Sequence, residues 1–160
     1  MKIRDKYYGL WVKNFILCGI TGWCLEIMFT AVESMLSQDW RLMGKTSLIM
    51  FPIYGLGMFL GPICRGIDRW LDEGFWEEGR IPLGEKALRH GMIDMVLIFV
   101  AEYGFGLLLA GLGICPWDYQ GKPANVHGLI RLDFAPLWFF TGLILEKVTK
   151  NQQKNEPLVL

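Results

Sequence analysis

Long apolar stretches separated by short polar ones divide the chain into four segments, at about residues 10–36, 46–65, 89–114 and 129–148. A helix needs about 20 predominantly apolar residues to cross a bilayer, and each segment is of that length. Helices are the expected form because backbone polar groups must be satisfied internally within the hydrocarbon. The pattern therefore predicts an all-α, polytopic integral membrane protein with a single four-helix domain over residues 1–148.

Two polar stretches lie outside these spans. Residues 66–86 mix basic and acidic side chains with aromatic ones, which predicts a loop that lies partly on the membrane surface. Residues 149–160 are mostly polar and are expected to form a disordered tail. Within the second span, Pro52 is expected to kink or break the helix, with Tyr54 beside that weak point.

The distribution of lysine and arginine predicts the orientation. Twelve of the 16 basic residues lie in the N-terminal segment, in the 66–86 loop with its adjoining helix ends, or in the tail. The other four lie on the opposite side. The positive-inside rule therefore places the 66–86 loop and both termini in the cytoplasm, with two short outer loops, in the plasma (cell inner) membrane.

Composition narrows the functional classes. The chain is 52% hydrophobic with a mean hydropathy of +0.31, which favours a membrane protein in contact with the lipid bilayer. Sixteen basic and 16 acidic residues cancel, and no basic patch with interleaved aromatic residues occurs, so no nucleic-acid partner is expected. The four cysteines form neither a Cys-x-x-Cys pair nor a Cys/His cluster at metal-ligand spacing, which favours a packing role and predicts no metal site. The sequence indicates no particular cofactor and no catalytic triad.

Two glutamates inside the spans are the strongest candidates for chemistry. The segment Met95–Ile114 contains eleven Leu, Ile, Val or Phe residues, worth about −5 kcal/mol on an insertion scale, against about 3 kcal/mol for Glu102. The span should still insert, but this acid needs a proton, a partner or water. Counted from Lys13 and Arg89, Glu26 and Glu102 each lie thirteen residues in, or about 20 Å, and so at the same depth.

The fourth span adds further charges at this depth. Counted up from Lys147, Arg131 lies sixteen residues in and Asp133 fourteen, within about one helical turn of the glutamates. The sequence thus predicts a buried layer with more acids than bases, in which one carboxylate carries a proton or binds a cation. A buried Glu and Arg can also simply tie helices together.

The two halves of the chain share a plan. Each has an ascending helix with a glutamate at equal depth, an outer loop, and a descending helix that contains a proline. This plan predicts a parallel two-helix repeat related by an axis along the membrane normal. The second outer loop would lie over the charged layer, either to close it with Asp118 and Tyr119 or as a folded turn with an interfacial aromatic anchor.

An ordered series of short motifs carries a family resemblance. The motifs are Gly22-Trp23-x-x-Glu26, Pro52-Ile53-Tyr54-Gly55-x-Gly57, Glu102-Tyr103, Trp117-Asp118-Tyr119 and Asn125-x-x-Gly128-x-Ile130-x-Leu132. Over Phe15–Leu145 the chain resembles the putative ABC-transporter type IV family, also called CmpB-like. The resemblance implies a four-helix membrane protein. It also marks Gly128. Together with the predicted depths, it gives a set of ligand-binding candidates: Glu26, Tyr54, Glu102, Trp117, Asp118, Tyr119, Asn125 and Arg131. The chain departs from the family pattern at Pro116, Gln120 and Leu129.

Three functions remain open at this point. The first is a transporter or transporter subunit that binds a cation, a proton or another small solute at the Glu/Arg layer. Four helices rarely enclose a path alone, so a homo-oligomer or a partner membrane subunit is expected. The chain lacks a Gly-x-x-x-x-Gly-Lys-Ser/Thr phosphate loop, so any ATP hydrolysis would need a separate subunit. The alternatives are a membrane-embedded enzyme acting on a lipid or isoprenoid, and a scaffold or assembly factor that uses residues 66–86.

Overall fold

A computed structural model describes the backbone of residues 2–75 and 83–155 and the side chains of residues 8–71 and 84–150. Its helices are α1 (Lys2–Leu36), α2 (Met50–Gly55), α3 (Leu60–Phe75), α4 (Leu83–Gly111) and α5 (Ala135–Asn155), with 3-10 turns at Leu56–Phe59 and Leu132–Phe134. Strands β1 (Asn125–Val126) and β2 (Ile130–Arg131) pair antiparallel, with Asn125 opposite Arg131. The structure is 75% helical, which confirms the all-α class.

Three helical stretches are long and apolar enough to cross a membrane. They are Tyr8–Leu36, Met50–Leu71 and Gly84–Gly111, and they support the prediction of an integral membrane protein. Among the described residues, α5 does not meet the same criterion. Its apolar first half gives way to polar and charged residues from Glu146 onward, which lowers its hydropathy. A fourth span and the side on which the termini lie stay predictions.

Helices extend into both segments that the sequence predicts as polar connections. Helix α3 continues to Phe75 and α4 begins at Leu83, so much of the predicted 66–86 loop is helical. Helix α5 continues to Asn155, into the predicted tail at 149–160. In α3 the charged residues alternate with apolar ones, which suits an amphipathic helix. In α5 the charged residues follow an apolar helical segment, and they do not end the helix. Residues 76–82 of the predicted loop and 156–160 of the predicted tail lie outside the described residues.

The prolines of the second span lie where a helix tolerates them. Pro52 is the third residue of α2 and Pro62 the third of α3. In a first helical turn the backbone N–H has no acceptor within the helix, so its loss costs little. The sequence predicts a break at Pro52. The α-helical geometry is instead interrupted a few residues later, at the 3-10 turn Leu56–Phe59.

The chain divides into two compact units, and the single four-helix domain over residues 1–148 stays a prediction. The first unit is Met1–Met58 with Leu145–Leu160, and the second is Phe59–Ile144. In the first unit, α1 and α2 approach closely because glycines of one helix face aromatic rings of the other. These contacts join Gly19 to Phe51, Gly22 to Tyr54 and Gly55 to Phe15. They place Tyr54 beside the part of α1 that carries Glu26.

The second unit contains α3, α4, the β1–β2 hairpin and the first half of α5. Its hairpin turn depends on Gly128, which has φ +71° and donates its N–H to Asn125 Oδ1 at 3.1 Å. A Cβ at this position would meet Gln120 Cγ at 2.8 Å. Glycine fits here because it adopts the left-handed backbone without strain and has no Cβ to overlap Gln120. The turn therefore packs directly against the loop that precedes it.

Candidate functional site

Glu102 is held by hydrogen bonds at both of its carboxylate oxygens. It lies on α4 with 8% of its surface exposed. The Tyr119 hydroxyl donates to Oε1 at 3.3 Å, and the Trp138 indole N–H donates to Oε2 at 3.1 Å. These donors come from the outer loop and from α5, so three separate parts of the second unit converge on one carboxylate.

The backbone of the outer loop positions Tyr119. Its N–H donates to the Gly128 carbonyl at 2.8 Å, and its own carbonyl accepts the Lys122 N–H at 3.0 Å. The Trp117 indole N–H donates to the Leu129 carbonyl at 2.9 Å and joins the loop to the hairpin a second time. Tyr119 is therefore supported by a folded loop on the hairpin and is not a side chain on a loose segment.

Aromatic rings surround the two donors. Phe134 contacts Tyr119 edge to face with ring centroids 5.6 Å apart, and it contacts Trp138 in the same way at 6.3 Å. Phe134 and Trp138 are both buried. We call Tyr119, Phe134 and Trp138 the aromatic cluster. Edge-to-face packing of this kind stabilises a defined ring geometry, so the cluster orients both donors toward Glu102.

Arg131 lies in β2 and not in a helix. Its backbone is extended, with φ −125° and ψ 117°, so the depth calculated from a helical rise does not apply to it. The guanidinium pairs with Asp133 at 2.6 Å and lies 4.1 Å from the centroid of the Phe134 ring. The hydrogen bonds from Arg131 hold the pKa of Asp133 below its ordinary value. Arg131 thus contacts the aromatic cluster through Phe134.

Asp118 and Asn125 have structural roles in the outer loop. Asp118 Oδ1 accepts the Gln120 N–H at 2.8 Å, while Asn125 donates to the Lys122 carbonyl at 2.6 Å and accepts from Gly128. These bonds shape the loop that carries Tyr119. The predicted ligand-binding roles of Asp118, Asn125 and Trp117 stay predictions.

Glu26 has a comparable environment in the first unit. It is half-buried on α1, and Oε2 accepts the Thr46 hydroxyl at 2.7 Å. The Tyr54 side chain also hydrogen-bonds to it, so two predicted site residues meet here. Trp23 donates its indole N–H to the Ser47 carbonyl at 2.9 Å and supports the segment that carries Thr46. Glu26 and Glu102 belong to different units, and their common layer stays a prediction.

Two buried residues of the second unit with polar side-chain groups, Trp138 and Asp94, are not among the candidates predicted from the sequence. Trp138 gave no signal, because an indole in an apolar helix is usually a packing residue. Asp94 did give one, since it is an acid inside the third span. It is fully buried and accepts a hydrogen bond from the Cys64 thiol at 3.3 Å. Its Cβ fills the space that the missing side chain of Gly142 leaves open.

Comparison with known families gives one match. The model of the family described as "Putative ABC-transporter type IV" matches residues 13–157, which is nearly the whole chain. The chain belongs to this family. The match includes Glu26, Glu102 and the whole outer loop with its hairpin, and it confirms the resemblance that the motifs carry. The ABC-transporter type IV assignment marks the chain as a transporter-related membrane protein. No solved structure matches the chain.

Proposed function

We propose that the chain is a membrane transporter or transporter subunit that binds a proton or a small cation at Glu102. Family membership supports membrane transport in general. The observation that carries the site is a buried carboxylate, on an apolar helix, with both oxygens held by the neutral donors Tyr119 and Trp138. These contacts hold the carboxyl group in a defined position within a low-dielectric environment, where binding of a proton or a cation stabilises it.

Glu26 extends the proposal to a second acid. It too accepts hydrogen bonds from neutral hydroxyl groups, those of Thr46 and Tyr54. Two acids on apolar helices, each contacted by neutral donors, give one candidate binding position in each unit. Arg131 would balance part of the negative charge. The proposal includes α5 as a fourth span, both termini in the cytoplasm, the plasma membrane as location, and a homo-oligomer or partner subunit that completes the path.

Flux through vesicles tests the role of Glu102. The full-length protein is reconstituted into liposomes, and a membrane potential is imposed. Proton entry is followed with an entrapped pH-sensitive dye, and cation entry with a radioactive sodium tracer. The matched control for Glu102→Gln is Glu85→Gln, because Glu85 lies in the first turn of the same helix and is exposed. We expect Glu102→Gln to abolish the flux that the wild type supports and Glu85→Gln to retain it.

Chemical labelling provides a second readout. Dicyclohexylcarbodiimide is an apolar reagent that modifies protonated carboxyl groups inside membranes. Mass spectrometry of the treated wild type should locate the modification on Glu102, with less of it when the transported cation is present. Flux through the Glu102→Gln variant at the wild-type rate, with both tracers, would exclude this site as the transport site.

A further inference from the structure

A second cluster of charged residues lies in the second unit, on α3 and α4. Asp68 of α3 is 8% exposed at its side chain and contacts three basic side chains of α4. Arg89 Nη2 lies 2.6 Å from Oδ1, while His90 Nε2 and Lys86 Nζ lie 2.8 Å and 3.3 Å from Oδ2. His90 and Glu102 are twelve residues apart on α4, or about 18 Å, so this cluster is separate from the aromatic cluster.

Lys86 is the most exposed side chain of the cluster. The side chain of Lys86 is 49% exposed, and its contact with Asp68 engages one of three ammonium donors. The ammonium group of Lys86 therefore presents donors to its surroundings although Asp68 partly neutralises its charge.

The cluster also lies at the level of lipid headgroups. Two of the apolar stretches end beside it, Met50–Leu71 at its last residues and Gly84–Gly111 at its first. Trp70 is 74% exposed next to Arg69, as expected for an indole anchored at a membrane interface. Basic pockets between helices at this depth meet lipid phosphates at high local concentration.

We propose that Lys86 and Arg89 bind the phosphate of an anionic lipid headgroup at this end of α3 and α4. Arginine and lysine side chains are the usual ligands of phosphate oxygens. The proposal is independent of transport at Glu102.

Lipid retention tests the proposal on the full-length protein in detergent. Native mass spectrometry counts the molecules of short-chain phosphatidylglycerol that stay bound, with phosphatidylcholine and inorganic phosphate as comparisons. Removing two basic charges should weaken phosphatidylglycerol binding about 30-fold in a Lys86→Gln/Arg89→Gln variant. Arg41→Gln/Lys45→Gln is the matched control, because it removes two exposed basic residues from the α1–α2 connection. It should bind phosphatidylglycerol as the wild type does.

A triple variant separates binding from folding. The double variant leaves the buried Asp68 carboxylate without two of its basic neighbours, which could prevent folding. Adding Asp68→Asn removes that charge, so the triple variant should fold and still fail to retain the lipid. Asp68→Asn alone should retain phosphatidylglycerol at least as well as the wild type, because a competing anion is removed. Equal retention by the triple variant and the wild type would overturn the proposal. Equal retention of both phospholipids by the wild type, or binding of inorganic phosphate without lipid, would also overturn it.

Discussion

The packing of Gly22 against Tyr54 gives a quantitative prediction for the first unit. A Cβ built on Gly22 would lie 2.5 Å from Tyr54 Cδ1, where ordinary contacts are 3.4–4 Å. It would also overlap Tyr54 Cβ and Cγ, which lie at the base of the side chain and cannot swing away. Overpacking of this kind costs about 1–3 kcal/mol. Gly22→Ala should therefore destabilise the packing of α1 against α2 and displace Tyr54 from Glu26.

The matched control lies on the same helix. Nothing lies within 4 Å of a Cβ built on Gly9, so Gly9→Ala should gain only the helix preference of alanine, about 0.5–1 kcal/mol. The difference between the two variants then isolates the overlap and should amount to about 1–3 kcal/mol. The assay is the free energy of unfolding in mixed micelles with increasing sodium dodecyl sulfate.

A double-mutant cycle determines whether Tyr54 is the cause. In a Tyr54→Gly background the Cβ, the Cγ and the ring are all absent, so Gly22→Ala should cost nothing and behave like Gly9→Ala. An equal penalty for Gly22→Ala in both backgrounds would refute the steric argument. So would a Gly22→Ala protein as stable as Gly9→Ala.

Three further predictions concern the second unit. Trp138→Phe keeps the ring but removes the donor to Glu102, which should cost about 1.5–3 kcal/mol of unfolding free energy and increase carbodiimide labelling of Glu102. Gly128→Ala should destabilise the hairpin by about 1–3 kcal/mol, because it combines a left-handed backbone with overlap on its neighbours. Since Arg131 lowers the pKa of Asp133, their pair stabilises the fold above the unfolded-state pKa of about 3.9. Stability should therefore fall at more acidic pH, as Asp133 is protonated in the folded protein, and Asp133→Asn should flatten that profile.

Each of these has a control within the chain. Trp70→Phe alters an exposed indole and should leave labelling of Glu102 unchanged. Gly113 has the same φ of +71° as Gly128 but open space around its Cβ, so Gly113→Ala should show the backbone cost alone. If Gly128→Ala lowers the unfolding free energy no more than Gly113→Ala does, the proposed crowding around Gly128 is contradicted. A wild-type pH profile that Asp133→Asn leaves unchanged would contradict a contribution from the Arg131 pair.

The sequence predicts the apolar helices well because their signal is strong and local. Runs of apolar residues identify the spans in α1, α2–α3 and α4, and insertion energies depend mainly on composition. The ends of the helices are harder to predict. The charged residues at the end of α3 suggest a loop, although their spacing also suits an amphipathic helix. Pro52 has the same ambiguity, because its effect depends on whether it falls in the first turn or the interior.

The candidate site is only partly predictable for a related reason. An acid inside a span attracts attention by itself, so Glu26 and Glu102 are evident from the sequence. Their partners depend on tertiary contacts between distant residues: Trp138 and Glu102 are 36 positions apart. The sequence predicts a helix at Arg131 because this residue precedes an apolar run, whereas the turn at Gly128 places it in strand β2. A depth calculated from a helical rise therefore applies to Glu26 on α1 and Glu102 on α4, but not to Arg131.

The separation between Glu102 and its donors also has a consequence for biosynthesis. Tyr119 follows Glu102 by 17 residues and Trp138 by 36, so α4 leaves the ribosome before either donor can reach it. During that interval the carboxyl group enters the bilayer more easily with a proton than with a charge. Release of that proton then has to wait for the outer loop and α5. The completed fold, and not α4 alone, thus makes a charged Glu102 compatible with the membrane.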